Sequence, residues 1–383
     1  MDELYTIWGT PHSLYTGKIR SYLIKKGIAY EEIMASDPNF VGDIIRQVGL
    51  KVIPVMRAPD GEIIQDTTAM IDHIESRVAA PSFVPSGPVQ RIVADLIDAF
   101  GSNYLMAIAM HYRWSYREQQ EHFLCNEFSR AVPAPTYIDR MEKAGKLMSR
   151  FADFLPNLGV TPEVIPAMEA SYKELLALLE IHFQNYPYFL GGCPSAADFG
   201  MMAPLYAHLA RDPVPAFLMK TTAPSVYRWT ERMNMPGLKD GDFKDLAIGF
   251  PEDDALPETL EPILAFLFSQ WGPGLKADVA CFDAWVDGLE APDPGTLVSH
   301  DGRRQVHPHV GRVSYAWRDV VMQRASQPHA LWHFERARTA APALTGVDRE
   351  RLDALLERTG GNAMMALTTK RKIARNDNVL VLA

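Results

Sequence analysis

Cysteine is scarce in this chain. Cys125, Cys193 and Cys281 are the only three in 383 residues, far apart and outside any C-x-x-C pair. A disulfide framework is excluded, and a reducing, cytoplasmic setting is expected. Positive charge is in deficit: 38 Lys and Arg against 47 Asp and Glu give a net charge of −9. That balance opposes nonspecific binding to nucleic acid or to an anionic membrane surface. No low-complexity tract or repeat is present, and no apolar run approaches the roughly 20 residues needed to cross a bilayer. Asp2 and Glu3 precede no signal-type apolar core. Neither nucleic acid nor membrane is expected as a partner.

What remains is a soluble composition, 47% hydrophobic and 22% charged, on a chain long enough for roughly two to three domains. The first eighty residues carry the densest signals. A strand from Leu4 to Trp8 runs through a Thr/Pro/Ser turn into a helix with Ile19, Tyr22 and Leu23 on one face, ended by Lys25-Lys26-Gly27. Ser13 therefore stands at a helix N-terminus, where free N–H groups favour an anion such as a thiolate. A strand over 30–34 and a polar helical stretch from Pro38 to Val48 follow. Val52-Ile-Pro-Val-Met56 and Glu62-Ile-Ile64, around Pro59-Asp-Gly61, predict a hairpin. Asp66 and Thr67 then start a helix running to Glu75.

Pro, Ser and Gly between Ala80 and Pro88 mark a linker. Beyond it the pattern is helical to about Met235. Met168, Tyr172, Leu175, Leu176, Leu179 and Phe183 form one stripe, and Ser195 and Asp198 form a capping box before an almost wholly apolar helix containing Pro204. The last stretch predicts a helix from Leu256 to Leu267 and a second near Phe282 to Leu289. A hairpin turning at His300-Asp-Gly-Arg303 and helices near Val313–Arg324, Ala330–Arg338 and Asp348–Arg358 complete it. Lys370-Arg-Lys372 and Arg375 read as a solvated tail, or as the holder of an anionic substrate if folded over a cleft. His300, His307 and His309 lack a carboxylate or cysteine at metal-ligand spacing, so no metal is expected.

Taken in order, the passage from Ser13 to Arg20 with Lys25-Lys26-Gly27, Val52-Ile-Pro54-Val, Asp60-Gly61 leading to Asp66-Thr67, and Phe189-Leu-Gly-Gly-x-Pro-Ser-x-x-Asp198 resemble a cytosolic glutathione transferase of the serine type, theta-, zeta- or omega-like. The resemblance covers about 235 of the 383 residues. It implies an α/β thioredoxin-like domain over 1–80, a linker over 81–88 and an all-α domain over 89–240. An additional, mostly helical extension over 241–383 has no counterpart. It also implies glutathione as cosubstrate and a homodimer active in detoxification. Ser13, seven before Arg20, would contact the sulfur. Pro54 would be cis, Ile53 would pair its backbone with the cysteinyl unit, and Asp66 and Thr67 would hold the γ-glutamyl end. Lys51 would reach the glycyl carboxylate, although Val48-Gly-Leu-Lys51 departs from the usual Asn-Pro-containing approach. Leu14, Tyr104, His111, Tyr112 and Trp114 would line the pocket for an apolar electrophile. The activity implied is transfer of glutathione, with isomerase, lyase or non-catalytic scaffold roles as alternatives.

Overall fold

The computed structural model describes residues 4–290 and 292–383. Four strands, β1 (Tyr5–Gly9), β2 (Tyr30–Met34), β3 (Val55–Arg57) and β4 (Ile63–Gln65), form one sheet in the order β2-β1-β3-β4. The β1/β2 pair is parallel; β1/β3 and β3/β4 are antiparallel. This is the expected thioredoxin-like arrangement. The strands alternate with helices α1 (Leu14–Lys26), α2 (Ile45–Val48) and α3 (Thr67–Arg77). Gly27 closes α1 at φ +71°, which a side chain would resist. Lys25 and Lys26 do more than complement the helix dipole, because both are buried. Lys25 donates to the Tyr188 hydroxyl and the Gly237 carbonyl, and Lys26 to the Pro81 carbonyl, so the end of α1 is tied to the rest of the chain.

Helices α4 (Pro88–Ala99) and α5 (Leu105–Trp114) continue into one another through a π turn over Phe100–Tyr104. Mean hydropathy in this 27-residue helix reaches 1.3, enough by length and composition to cross a membrane, but 78% of that window is buried inside the protein. The expectation that no run comes near that length is thereby corrected: Gln90, Arg91, Asp95 and Asp98 interrupt a segment whose average is still apolar. Then follow α6 (Arg117–Ser129), α7 (Tyr137–Ala152), α8 (Ile165–Asn185), α9 (Ala196–Ala207), α10 (Pro213–Thr222) and α11 (Pro224–Met233). α9 is central. A Cβ on Gly200 would lie 2.2 Å from the Asp98 carboxylate, so glycine is what lets α4 and α9 touch. The Asp198 carboxylate completes the predicted capping box and also accepts from the Phe189 N–H and the Trp229 indole.

The extension departs from its sequence reading in three places. Its first two helices are one, α12 (Leu260–Asp287), continuous through Pro273. The segment read as a helix near Val313–Arg324 is a hairpin, β5 (Arg312–Trp317) and β6 (Val320–Ala325). There Val313, Trp317, Met322 and Arg324 are buried while Arg312, Ser314, Val321 and Gln323 are exposed. That is the period of two of a strand. No strand borders the turn read at His300–Arg303. After α13 (Pro328–Arg338), α14 (Gly346–Thr359) and α15 (Asn362–Met365), the tail forms a second hairpin, β7 (Ile373–Asn376) and β8 (Val379–Leu382). Its turn, Asp377-Asn378, has φ of +46° and +63°, the left-handed pair that tight hairpins favour.

One hydrophobic cluster runs from Tyr5 to Leu382. Trp271 of α12 meets Phe100 edge-on at 6.2 Å and Phe334 of α13 at 6.1 Å, so extension and helical region share an interior. Ending the chain at Gly241 would remove Phe266 and Trp271 from Phe100. Such a truncation is expected to abolish the cooperative thermal transition seen by circular dichroism; a truncated chain melting within about 5 °C of the full one, a shift worth only about 2–4 kcal/mol at this chain length, would overturn this.

Candidate functional site

The turn between β1 and α1 builds one edge of the site. Ser13 is the N-cap of α1, and its hydroxyl accepts from the Thr16 N–H at 3.4 Å, a long bond that leaves the O–H free to donate elsewhere. Thr10 and Thr16 are fully buried. Tyr15 donates to the Ser102 carbonyl at 2.9 Å, and burial, then the negative Asp66 and Asp98, push its phenol far up, so it stays protonated. Ser13 is thus the half-exposed aliphatic hydroxyl of the turn. His12 is buried, its ring 4.2 Å from that of Phe128; burial, then Arg113, drives its pKa well down, which leaves it neutral. Arg113 in turn donates to the His12 carbonyl at 2.8 Å and pairs with buried Asp212, pinning the turn to α5.

Across the sheet edge, the Ile53–Pro54 bond is cis. Among the described residues nothing bonds the Ile53 N–H or C=O, so both remain available to an added strand. Lys51 is exposed. Asp66, at φ +82°, caps α3 by accepting from the Thr68 N–H at 2.8 Å. Thr67, buried at the first helical position, has an N–H without an intrahelical acceptor.

The extension reaches this edge: of the two readings of the tail, the one that folds Arg375 over the first domain agrees with its position, while the approach of α13 had no signal in the sequence. The second carboxylate oxygen of Asp66 faces His329 Nε2 at 3.2 Å and Arg375 at 3.5 Å. Burial alone would raise Asp66, but His329, then Arg375, hold it well below the usual carboxylate range. Arg375 also donates to the Gln65 side-chain oxygen at 2.6 Å and lies over the Trp332 ring. At the opposite end of the edge, Asn378 and Arg304 both donate to the Val48 carbonyl. Behind it runs a buried polar seam. Lys18 meets Asp98 at 2.5 Å and Ser102 at 3.3 Å; Asn103 bonds both His329 and His333, and His333 bonds the Thr68 hydroxyl at 2.8 Å.

Four of the five residues expected to line a second-substrate pocket make their contacts with the helical region. Tyr104 bonds Ser171, His111 bonds Glu169, and the Tyr112 ring meets Tyr172 at 5.2 Å, all on α8. Trp114 packs on Phe128 and Phe151. Tyr104 borders a small cleft with Trp271, Trp317 and Met322, walled largely by the extension. Residues 104 and 106 lie about 200° apart on a helix, so the face turned to the first domain carries Met106, 3.8 Å from the Tyr15 hydroxyl, instead of Tyr104. Leu14 is buried in the main core. Helical periodicity could have separated these faces; the aromatic content alone could not. Among the described residues no group of three or more His, Cys, Asp or Glu is placed to hold a metal ion.

Residues 8–82 match the family model of the glutathione S-transferase N-terminal domain. In fold, the first sheet and its helices are such a domain. No curated protein sequence matches the chain. Solved structures similar to it include a glutathione S-transferase from Rhodospirillum rubrum F11, at 14% identity over 66% of this chain and 96% of that one, with a TM-score of 0.38. The β-etherase LigF of Sphingobium sp. strain SYK-6 aligns at 15% identity over 64% and 98%, with a TM-score of 0.41. A glutathione S-transferase from Methylobacterium radiotolerans JCM 2831, in complex with glutathione sulfonate, aligns at 16% identity over 66% and 100%, with a TM-score of 0.35. About a third of this chain lies outside each alignment.

The seam makes the site's integrity depend on pH. Burial is the main force lowering His333, to about 3, whereas an unfolded histidine titrates near 6.5. As pH falls below 6.5 the unfolded chain gains a proton that the folded chain refuses, so stability falls. From pH 7 to 5 this histidine is expected to contribute about 2 kcal/mol of destabilisation. Urea unfolding at the two pH values should show His333→Gln losing about that much less than the native chain; equal losses would remove His333 from this role.

Proposed function

We propose that the chain is a glutathione-dependent transferase that stabilises the bound thiolate with Ser13 and delivers it to an apolar electrophile. The observation carrying this reading is the juxtaposition of the Ser13 hydroxyl at the α1 N-terminus, the unpaired Ile53 backbone beside Pro54, and the Asp66-Thr67 cap of α3. All three lie within the segment that matches the transferase N-terminal domain. A thiol near its ordinary pKa of about 8.5 is only a few per cent thiolate at neutral pH. A donated O–H together with the helix dipole supplies about 1.4 to 3 kcal/mol, enough for one to two pKa units. Proximity to the electrophile then does most of the remaining work. The electrophile would meet the Met106 face of α5, where a thioether gives an adaptable apolar wall. Isomerisation or elimination through the same thiolate uses the same groups. A cytoplasmic homodimer belongs to this reading on the sequence grounds given above.

A second reading, a transferase-like protein that has lost glutathione, is favoured by one fact: the oxygens of Asp66 already face Thr68, His329 and Arg375. Calorimetric titration with glutathione separates the two, since absence of heat from the intact chain would end the enzyme reading. Where binding is seen, Ser13→Ala is expected to raise the pH at which thiolate absorbance near 240 nm appears by about one unit, the shift that ~1.4 kcal/mol supplies. An unchanged titration would take the role from Ser13.

A further inference from the structure

A loop of the extension crosses from the first domain to the helical region. It is closed at the neck by the His300 N–H, which donates to the His309 carbonyl at 2.8 Å, and by the His300 and His309 rings, stacked at 4.1 Å. Asp301 knits the turn by accepting from the Ser299 hydroxyl, the Arg303 N–H and the Gln305 amide. One side of the loop rests on the end of α2, where a Cβ on Gly49 would lie 3.1 Å from the Arg304 guanidinium that donates to the Val48 carbonyl. The other side meets the segment after α7. There the His307 ring lies 6.0 Å from that of Phe154, and Arg312 donates to the Asn157 side-chain oxygen at 3.2 Å. Half-buried Phe154 ends an aromatic series that begins next to Ser13: His12 to Phe128 at 4.2 Å, Phe128 to Phe151 at 5.9 Å, and the Phe154 N–H on the Phe151 carbonyl.

His307 is the group that the loop holds in this crossing. Its side chain is exposed, yet burial is the first cause, ahead of His329, that lowers its pKa to about 4. A ring that water reaches while protein closes round it stands in a recess, not on an outer face. Among the described residues neither of its nitrogens has a hydrogen-bond partner. A neutral imidazole there offers one free N–H and one free lone pair.

We propose that His307 is the polar contact of the electrophile site, donating to a carbonyl oxygen conjugated with the carbon that the thiolate attacks. The inference rests on the glutathione reading above and names its substrate class: an aryl-substituted α,β-unsaturated ketone or aldehyde, its ring against Phe154. In the addition the sulfur bonds the β-carbon, the C=C electron pair shifts toward the carbonyl, and negative charge develops on the oxygen. The His307 N–H stabilises that charge without being given up, and water supplies the proton that the α-carbon takes.

Calorimetry on the full chain tests this with three ligands: glutathione, its adduct with 4-phenylbut-3-en-2-one, and S-(1-phenylbutyl)glutathione of matched configuration, which has CH2 in place of the ketone. The ketone adduct is expected to bind about fivefold tighter than the deoxygenated one, the ratio that one neutral hydrogen bond supplies. His307→Phe should erase that ratio and leave glutathione within about twofold, and His307→Gln, which keeps an N–H, should restore part of it. Phe154→Ala should weaken both adducts alike and spare glutathione. Equal binding of the two adducts by the native chain, or a ratio that survives His307→Phe, would overturn the proposal. So would equal weakening of all three ligands by His307→Phe, the mark of a role in the fold. Glutathione that binds without the ratio removes only this inference, whereas no binding of glutathione removes the transferase reading and this inference with it.

Discussion

Much of this structure depends on a polar seam that has to be satisfied without water. Lys18 on α1 is fully buried against Asp98 on α4, and Asn103, one turn further along, bridges two histidines of α13. Breaking a buried ion pair from one side typically costs 3–5 kcal/mol, because the remaining charge has nowhere to go. The seam therefore fixes how the first domain sits on the helical region and how the extension sits on both. Burial of apolar surface supplies most of the driving force, but it is not directional. Hydrogen bonds to Asn103 are directional, and they set which face of α13 meets α3.

That registration has a functional consequence. By packing α13 on α4 and tying His333 to Thr68 at the start of α3, the seam brings His329 beside Asp66, and the terminal hairpin then carries Arg375 to the same carboxylate. The extension is thus part of the wall around the candidate site as well as part of the core. Its position surrounds an acidic helix cap with side chains from α13 and the terminal hairpin, so that Asp66 has internal partners at both of its oxygens.

Local signals were legible wherever one residue's neighbours in sequence decide its conformation. Ser13, Gly27, Pro54, Asp66 and the Ser195–Asp198 box all act within a few residues of themselves, and the structure places each at its expected turn or cap. The extension is less legible. Val313 to Arg324 carries no local signal that separates a helix from the hairpin it forms, and the tail's hairpin is marked only by Asp377-Asn378 between two β-prone runs. Composition groups Tyr104, His111 and Tyr112 together, and the rotation of the helix turns them to α8.

The sequence by itself therefore determined the order of elements in the first domain, the caps of its helices and the chemical groups available at their N-termini. These are short-range matters of backbone sterics and free N–H groups. Only the tertiary structure decided that Asp66 would face His329 and Arg375, more than 260 residues away. Charge balance at a site is a sum over neighbours in space. Sequence separation carries no information about it until the core has brought those neighbours together.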